Sequence, residues 1–320
     1  LVDLSADLIA GTALLFAREE LDQVLDYLFN DEAGQVSLAN VVAMGLSSKN
    51  IVLVGDPMHL AHPLQGVHPG QSGQSGLEYL LQDSATVPSE RGIFLPTTWR
   101  MHEKLCEFIS LAVYDRRLKP ERDNQNQCLL VGDTSHPALK EAGLSFVPVQ
   151  HSGCSQKCEE EAELVAEIVN DLLDHQYRGR DGVESPMKLE NILVVSPYNI
   201  QVNHLKSVLP AGSRVGTVDK FQGQEAEVVL ISMATSSGED LPRHIEFLYS
   251  RNRLNVAISR AKILSVILAN PKLLEIQCRT IEQLRLVNTL CWASSYSSGE
   301  RKSSPVGPVS YTPLRAHETT

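Results

Sequence analysis

Six short apolar runs, each closed by turn residues, constrain this chain more than any other feature. They are Leu25–Asn30, Ile51–Val54, Ser145–Val149, Ile192–Ser196, Val228–Ser232 and Leu264–Ala269. Several are nearly continuous in Val, Ile and Leu, the pattern of strands buried on both faces of a parallel sheet. Amphipathic stretches lie between them. In Glu159–His175 the residues Ala162, Val165, Ile168, Val169 and Leu172 share one helical face, and His102–Val113 reads the same way. Strands alternating with helices predict an α/β fold with mainly parallel sheets. A length of 320 residues accommodates two packed domains or one large one. The expected boundary falls near Arg91–Pro96, dividing residues 1–95 from 96–292. The Gly-rich stretch Gly66–Gly76 reads as a connector, and the polar stretch Pro120–Gly143 as a loop of the second domain. No internal repeat is visible.

Bulk properties narrow the function classes. The net charge is −11 with 21% charged residues, which argues against binding nucleic acid by overall charge. A local groove of Arg, Lys and backbone N–H groups remains compatible with an acidic protein. Six cysteines are too sparse for a disulfide framework. Cys154 and Cys158 lack a second close pair, so free thiols and a cytoplasmic setting are expected. No run has the length of a membrane span, and no signal peptide opens the chain. Residue 1 is Leu, which reads as a fragment. Residues 293–320 are rich in Ser and Pro and are expected to be disordered. Within them, Val309–Thr319 resembles a translated sequencing-library adaptor, so this tail is treated as a sequencing artefact.

Five segments carry possible chemistry. Asp31-Glu32-Ala33-Gly34-Gln35 follows the first strand, where ligands bind at the carboxyl edge of an open sheet. One carboxylate there can hold Mg²⁺ and the other can activate water, although an acidic pair also opens ordinary helices. Gly55-Asp56-Pro57-Met58-His59-Leu60 ends the second strand and is either a phosphate-reporting turn or a plain one. Thr97-Thr98-Trp99-Arg100-Met101-His102 offers a planar, permanently charged donor for a phosphoryl group, or a salt bridge at a helix start. Gly216–Glu225 (GTVDKFQGQE) contains Gly223 for a tight turn, with Gln222 and Glu225 in reach of a nucleotide or of other side chains. Arg251–Lys262 places Arg253 and Arg260 at helical spacing, on nearby faces of one helix, as phosphate ligands or as a solvated basic face.

The fixed order of these segments is more informative than any one of them. Together they resemble the superfamily 1 helicases, in the branch of the nonsense-mediated-decay helicase and the Dna-two type of replication nuclease-helicase. DEAGQ resembles the Walker B motif II, GDPMHLAHP motif III, TTWRMH motif IV, GTVDKFQGQEAEVVLIS motif V and RLNVAISRAK motif VI. Ser196-Pro197-Tyr198-Asn199-Ile200-Gln201 resembles the family's T-P-Y-x-x-Q segment. The likeness runs from about Leu8 to Trp292. It is also similar to the bacterial group in which the motor follows a RecB-like nuclease.

The resemblance implies two RecA-like P-loop NTPase domains, the first incomplete, with ATP and Mg²⁺ between them and a single strand of nucleic acid across them. Position by position it implies Asp31 as the Mg²⁺ carboxylate and Glu32 as the catalytic base. Gln35 is implied at the attacking water or γ-phosphate, and Arg100 and Arg260 as arginine fingers. Gly55, Asp56, His59, Gln222, Gly223 and Glu225 are implied at the nucleotide. Thr12, Pro63, Pro197, Tyr198, Thr217 and Asp219 are implied at the strand. The implied activity is an ATP-dependent 5′–3′ translocase with DNA favoured over RNA. Two departures stand out. His59 replaces the motif III Gln and titrates near neutrality in its ordinary state. No G-x-x-x-x-G-K-[ST] loop occurs in the sequence. Truncation is the expected reason, leaving the fragment inactive alone and needing the missing N-terminal part of its chain. The rivals are a non-catalytic nucleic-acid-binding module and a motor auxiliary to a fused nuclease.

Overall fold

The computed structural model describes residues 6–60, 69–82, 84, 86–242 and 245–299. Two parallel sheets organise them. Helix α1 (Ala13–Phe16) precedes strand β1 (Leu25–Asn30), which runs parallel to β2 (Ser48–Leu53). Parallel neighbours need a crossover, here α2 (Leu38–Gly45), whose Ser37 cap accepts the Asn40 N–H at 3.3 Å. Helix α3 (Gly76–Leu81) follows, opened by a reciprocal capping box between Ser75 and Glu78. Phe16, Leu21, Leu28, Val41 and Met44 form the small core of this region. On β1 the alternation leaves Leu28 and Asn30 buried and Tyr27 and Phe29 exposed.

Short strands β3 (Thr97–Thr98) and β4 (Lys119–Pro120) pair around α4 (Glu103–Val113). The second large sheet contains β6 (Gly143–Pro148), β9 (Ile192–Val195), β10 (Arg214–Gly216), β11 (Ala226–Ser232) and β12 (Ala261–Ala269). Its order is β10-β9-β11-β12-β6, every pairing parallel. Strands β5 (Cys128–Leu130), β7 (Gln176–Arg178) and β8 (Glu184–Pro186) form a separate antiparallel sheet.

The period of two along each central strand feeds two cores at once. Ile192 and Val194 pack with Val165 and Leu172 of α5 (Glu159–Leu173) and with Leu205 of α6 (Asn199–Val208). Leu193 and Val195 join the opposite core, with Leu105 and Ile109 of α4. Helix α7 (Ile245–Leu248), α8 (Arg251–Ser259) and α9 (Ile281–Ser297) also contribute to that second core. The result is three layers, helix on sheet on helix.

All six expected strands and both expected helices are present, with ends moved by a few residues. Two expectations need correction. Pro120–Gly143 is not all loop: Cys128-Leu129-Leu130 pairs with Gln176–Arg178, because Leu129 finds a fully buried place beneath the small sheet. The polar tail does not begin at Ala293. Helix α9 runs to Ser297, since Trp292 and Tyr296 bracket the Phe108 ring at centroid distances of 5.6 and 5.4 Å. Residues 300–320 lie outside the described residues.

Candidate active site

The acidic side of the cleft comes from two turns held in backbone contact. Asp31 and Glu32 follow β1 and are exposed. Glu32 takes a left-handed φ of 52°, unusual for a residue with a side chain, and its N–H donates to Asp31 Oδ1 at 2.9 Å. The Gly55-Asp56 turn after β2 lies directly against it, with the Ala33 N–H donating to the Val54 carbonyl at 2.9 Å. A Cβ on Gly55 would stand 2.8 Å from Ala33 N, and one on Gly34 would stand 2.7 Å from the Asp56 carbonyl oxygen. Both contacts are too short for a side chain, so these glycines permit the approach of the two turns. Gln35 closes the 3-10 turn Ala33–Gln35 and is half-buried.

His59 sits between the acids. Its Nε2 lies 3.4 Å from Asp56 Oδ2 and its Nδ1 lies 4.0 Å from Glu32 Oε2. The other Asp56 oxygen accepts the Met58 N–H at 2.8 Å, and Oδ2 accepts the Tyr114 hydroxyl. Burial, then the Asp56 charge, push the Tyr114 phenol well above its ordinary value, so it stays a donor. Helix α8 grips the same turn. Asn255 Nδ2 donates to the Met58 carbonyl at 2.9 Å, and Asn252 Nδ2 donates to the His59 carbonyl at 2.6 Å.

The basic side lies at the amino edge of the large sheet, just before β11 and β12. Arg100 Nε donates to Glu225 Oε2 at 2.7 Å, and its Nη1 donates to the Ser259 carbonyl at 3.2 Å. Arg260 caps α8 and is only 3% exposed. Its Nη1 reaches the Gln224 carbonyl at 3.4 Å, while its Nε has no hydrogen-bond partner among the described residues. Burial pushes the Arg260 guanidinium down and the neighbouring Arg100 charge pushes the same way; Glu32 and Glu225 oppose both. Burial alone would raise the Glu225 carboxyl, but the Arg100 hydrogen bond and the Lys262 charge outweigh it and hold it below the ordinary range. Gly223 provides the tight turn at φ 74°, beside half-buried Gln222.

These residues suit a polyphosphate. Two guanidinium groups repel each other, one has an unsatisfied buried N–H, Arg100 pairs with Glu225, and the Glu32 charge acts on Arg260. An anion between them would relieve the repulsion and satisfy the donor. A metal at Asp31 would need phosphate or water oxygens as well, because the only group of three or more His, Cys, Asp or Glu ligands among the described residues lies elsewhere.

A second site lies on the far side of α8. Pro197, Tyr198, Thr217 and Asp219 line one cavity of about 230 Å³ with Phe247 and Arg253. Arg253 stands 4.6 Å over the Phe247 ring and 3.4 Å from Asp219 Oδ2. Arg253 and Arg260 have different partners: Arg253 meets Asp219 and Phe247, while Arg260, the C-cap of α8, reaches the Gln224 carbonyl. The Tyr198 ring is buried against Phe247, so it forms wall and offers no open stacking surface. Thr12 caps the start of α1, exposed and away from the residues lining this cavity. Pro63 lies outside the described residues. Sequence reasoning misses Tyr114, Asn252, Asn255 and Lys262 as site residues. Asn255 carries a signal, being polar within Leu254–Ile258, an otherwise apolar run.

Known proteins are similar to this chain in sequence. A family model described as AAA domain matches residues 73–272. The chain belongs to that family. The chain is a superfamily 1-like helicase domain, and its mainly parallel α/β sheets are consistent with a RecA-like, P-loop-type NTPase fold. It is 27% identical to the DNA polymerase alpha-associated DNA helicase A of Schizosaccharomyces pombe, over 77% of this chain and 37% of that protein. An uncharacterized ATP-dependent helicase of Methanocaldococcus jannaschii is 26% identical over 84% of this chain and 40% of its own length. The RNA helicase Mov10l1 of Mus musculus is 31% identical over 78% of this chain and 23% of its own. The chain thus spans two fifths or less of the length of these relatives.

Proposed function

We propose that this chain is the Walker B to motif VI part of an ATP-driven motor that moves along single-stranded nucleic acid, DNA in preference to RNA and 5′ to 3′. The observation that carries the reading is buried Arg260, with an unpartnered Nε, sharing one electrostatic field with Arg100 and Glu32. Bound Mg²⁺–ATP would supply the transferable phosphoryl group. Asp31 is assigned to the metal through water, and Glu32 to orienting and deprotonating the attacking water. Gln35 stands beside that water. Arg100 and Arg260 stabilise charge that develops on the phosphoryl oxygens, the main source of rate acceleration in such reactions. His59 links Glu32 to Asp56, and Gln222, Gly223 and Glu225 border the nucleotide.

Helix α8 supplies the coupling. Asn252 and Asn255 hold the Asp56–His59 turn from one side, while Arg253 walls the second cavity from another. A shift of that turn on phosphate loss moves α8, and with it the cavity proposed to hold the strand. The exposed Tyr27 and Phe29 are assigned to contact with a further part of the first domain, which also brings the phosphate-binding loop; a RecB-like nuclease preceding it is the finer reading.

The experiment is an ATPase assay of this chain beside a version extended upstream to include a G-K-[ST] loop. Strand-stimulated turnover is expected of the extended protein only. Strong turnover by the shorter chain sinks the assignment of the missing loop. A non-catalytic strand-gripping module is the second reading, favoured by His59 already lying against both Asp56 and Glu32; absence of turnover in the extended protein would decide for it.

A further inference from the structure

A second chemical site lies away from the cleft, where β6 ends and α5 begins. His151, Cys154 and Cys158 bring one ring nitrogen and two sulfurs within 4.8 Å of one another. The Glu160 carboxylate approaches both sulfurs, 3.3 Å from Cys158 Sγ and 4.0 Å from Cys154 Sγ. We propose that His151, Cys154, Cys158 and Glu160 form a tetrahedral zinc site that pins the 151–158 loop to the start of α5.

Three observations point to a metal. The first is the donor set and its spacing, H-x-x-C-x-x-x-C-x-E, which offers borderline nitrogen, soft sulfur and a carboxylate. Zinc–sulfur bonds of about 2.3 Å need sulfurs about 3.8 Å apart, which is compatible with ligand atoms that already lie within 4.8 Å of one another.

The second is what lies behind the histidine. His151 Nε2 is 3.1 Å from Glu161 Oε1, with both side chains fully buried. Glu161 is itself fixed by the Ser232 hydroxyl at 2.6 Å and the Ala234 N–H at 2.9 Å. A ring N–H given to a buried carboxylate sets the tautomer and raises the basicity of the other nitrogen, the usual support of a metal-bound His. Nδ1 is then the nitrogen left for the metal, which would displace the Ser236 hydroxyl now 2.7 Å away. No Lys or Arg pairs with Glu161 among the described residues, so a bound metal would bring positive charge to the buried His151–Glu161 pair.

The third is charge. Zinc with two thiolates and one carboxylate carries a net charge of −1, which suits the N-terminus of α5, a positive helix end. Exposed Glu160 provides the entry side, while Cys158 is 1% exposed. The same loop carries Gln156 into the wall of the cavity with Tyr198 and Asp219. An effect of zinc on strand binding rests on the proposed reading of that cavity, whereas metal binding itself does not.

The test is titration of the whole reduced chain with Co²⁺, then displacement by Zn²⁺ and recovery with a chromophoric chelator. One equivalent is expected, with the visible bands of tetrahedral cobalt and thiolate-to-cobalt charge transfer. Cys154→Ser should abolish those bands, and Cys154→His should keep the metal with weaker charge transfer. Glu161→Gln should weaken affinity by about 10–100-fold while leaving the stoichiometry unchanged. Cys158→Ser retains the cap acceptor for the Glu161 N–H, so it should fold, checked by circular dichroism, and lose the metal. Substoichiometric binding, a cobalt spectrum indifferent to Cys154→Ser, or a Cys154–Cys158 disulfide that forms equally with Zn²⁺ present would each overturn the site.

Discussion

The two parallel sheets use the same kind of strand and differ in what covers them. Every residue of β11 is buried, and successive residues alternate between two helical cores. On β1 the same alternation puts Tyr27 and Phe29 in solvent, 60% and 67% exposed. The difference separates stability from chemistry. The large sheet holds the guanidinium groups on a rigid frame, while the small sheet presents Asp31 and Glu32 from a turn supported chiefly by Gly34, Gly55 and the grip of α8 on Met58 and His59. A cleft of this kind depends on both walls, but only one is fully braced.

The strongest way to break that division is chemical. In the upstream-extended protein, Arg260→Ala and Glu32→Gln should each lower steady-state ATP turnover by about 10³-fold or more. The double variant should be little worse than either single one, because groups acting on one transition state are not additive. Additive losses would mean that the two walls do not serve one reaction.

Core truncation tests the frame. Leu230→Ala should cost about 2–5 kcal/mol in urea unfolding of this chain, while Phe29→Ala should cost under about 0.5 kcal/mol. Equal costs would show that the small sheet is covered after all.

Gly55→Ala addresses the contact between the turns. The added methyl meets backbone, not a flexible side chain, so a loss of about 1–3 kcal/mol is expected, read as a lower unfolding midpoint. Its effect on ATP turnover in the extended protein should exceed its effect on stability, since the acid wall itself is displaced.

The smallest effect concerns pH. Glu225 is held below the ordinary carboxylate range in the folded chain by Arg100 and Lys262, against burial. With the folded value depressed, the contribution is present above the unfolded carboxylate value and is lost as pH falls through the folded one. Glu225→Gln should therefore flatten the acid limb of stability while leaving that above pH about 6 nearly constant. The side chain is 42% exposed, so solvent screening keeps the difference under about 1 kcal/mol.

Much of this is legible in the sequence because it is local. Strand β9 needs only Ile192–Val195 to declare itself, and the acidic pair announces its place by following a strand. The links that make a cleft are not legible. Tyr114 and Asp56 are 58 positions apart, and Asn252 and His59 are 193 apart; no spacing rule connects them. The donors His151, Cys154, Cys158 and Glu160 are close in sequence, but the buried Glu161–Ser232 support behind His151 comes from a strand 71 positions away.

The sequence by itself determined the six long apolar strands, the apolar faces of α4 and α5, and where acids and glycines fall relative to those strand ends, since these follow from period and backbone sterics. Only the tertiary structure decided that Arg260 reaches Gln224 while Arg253 joins Asp219, and that Tyr27 and Phe29 of β1 are exposed. Those outcomes depend on packing between elements far apart in the chain, which no local pattern of residues specifies.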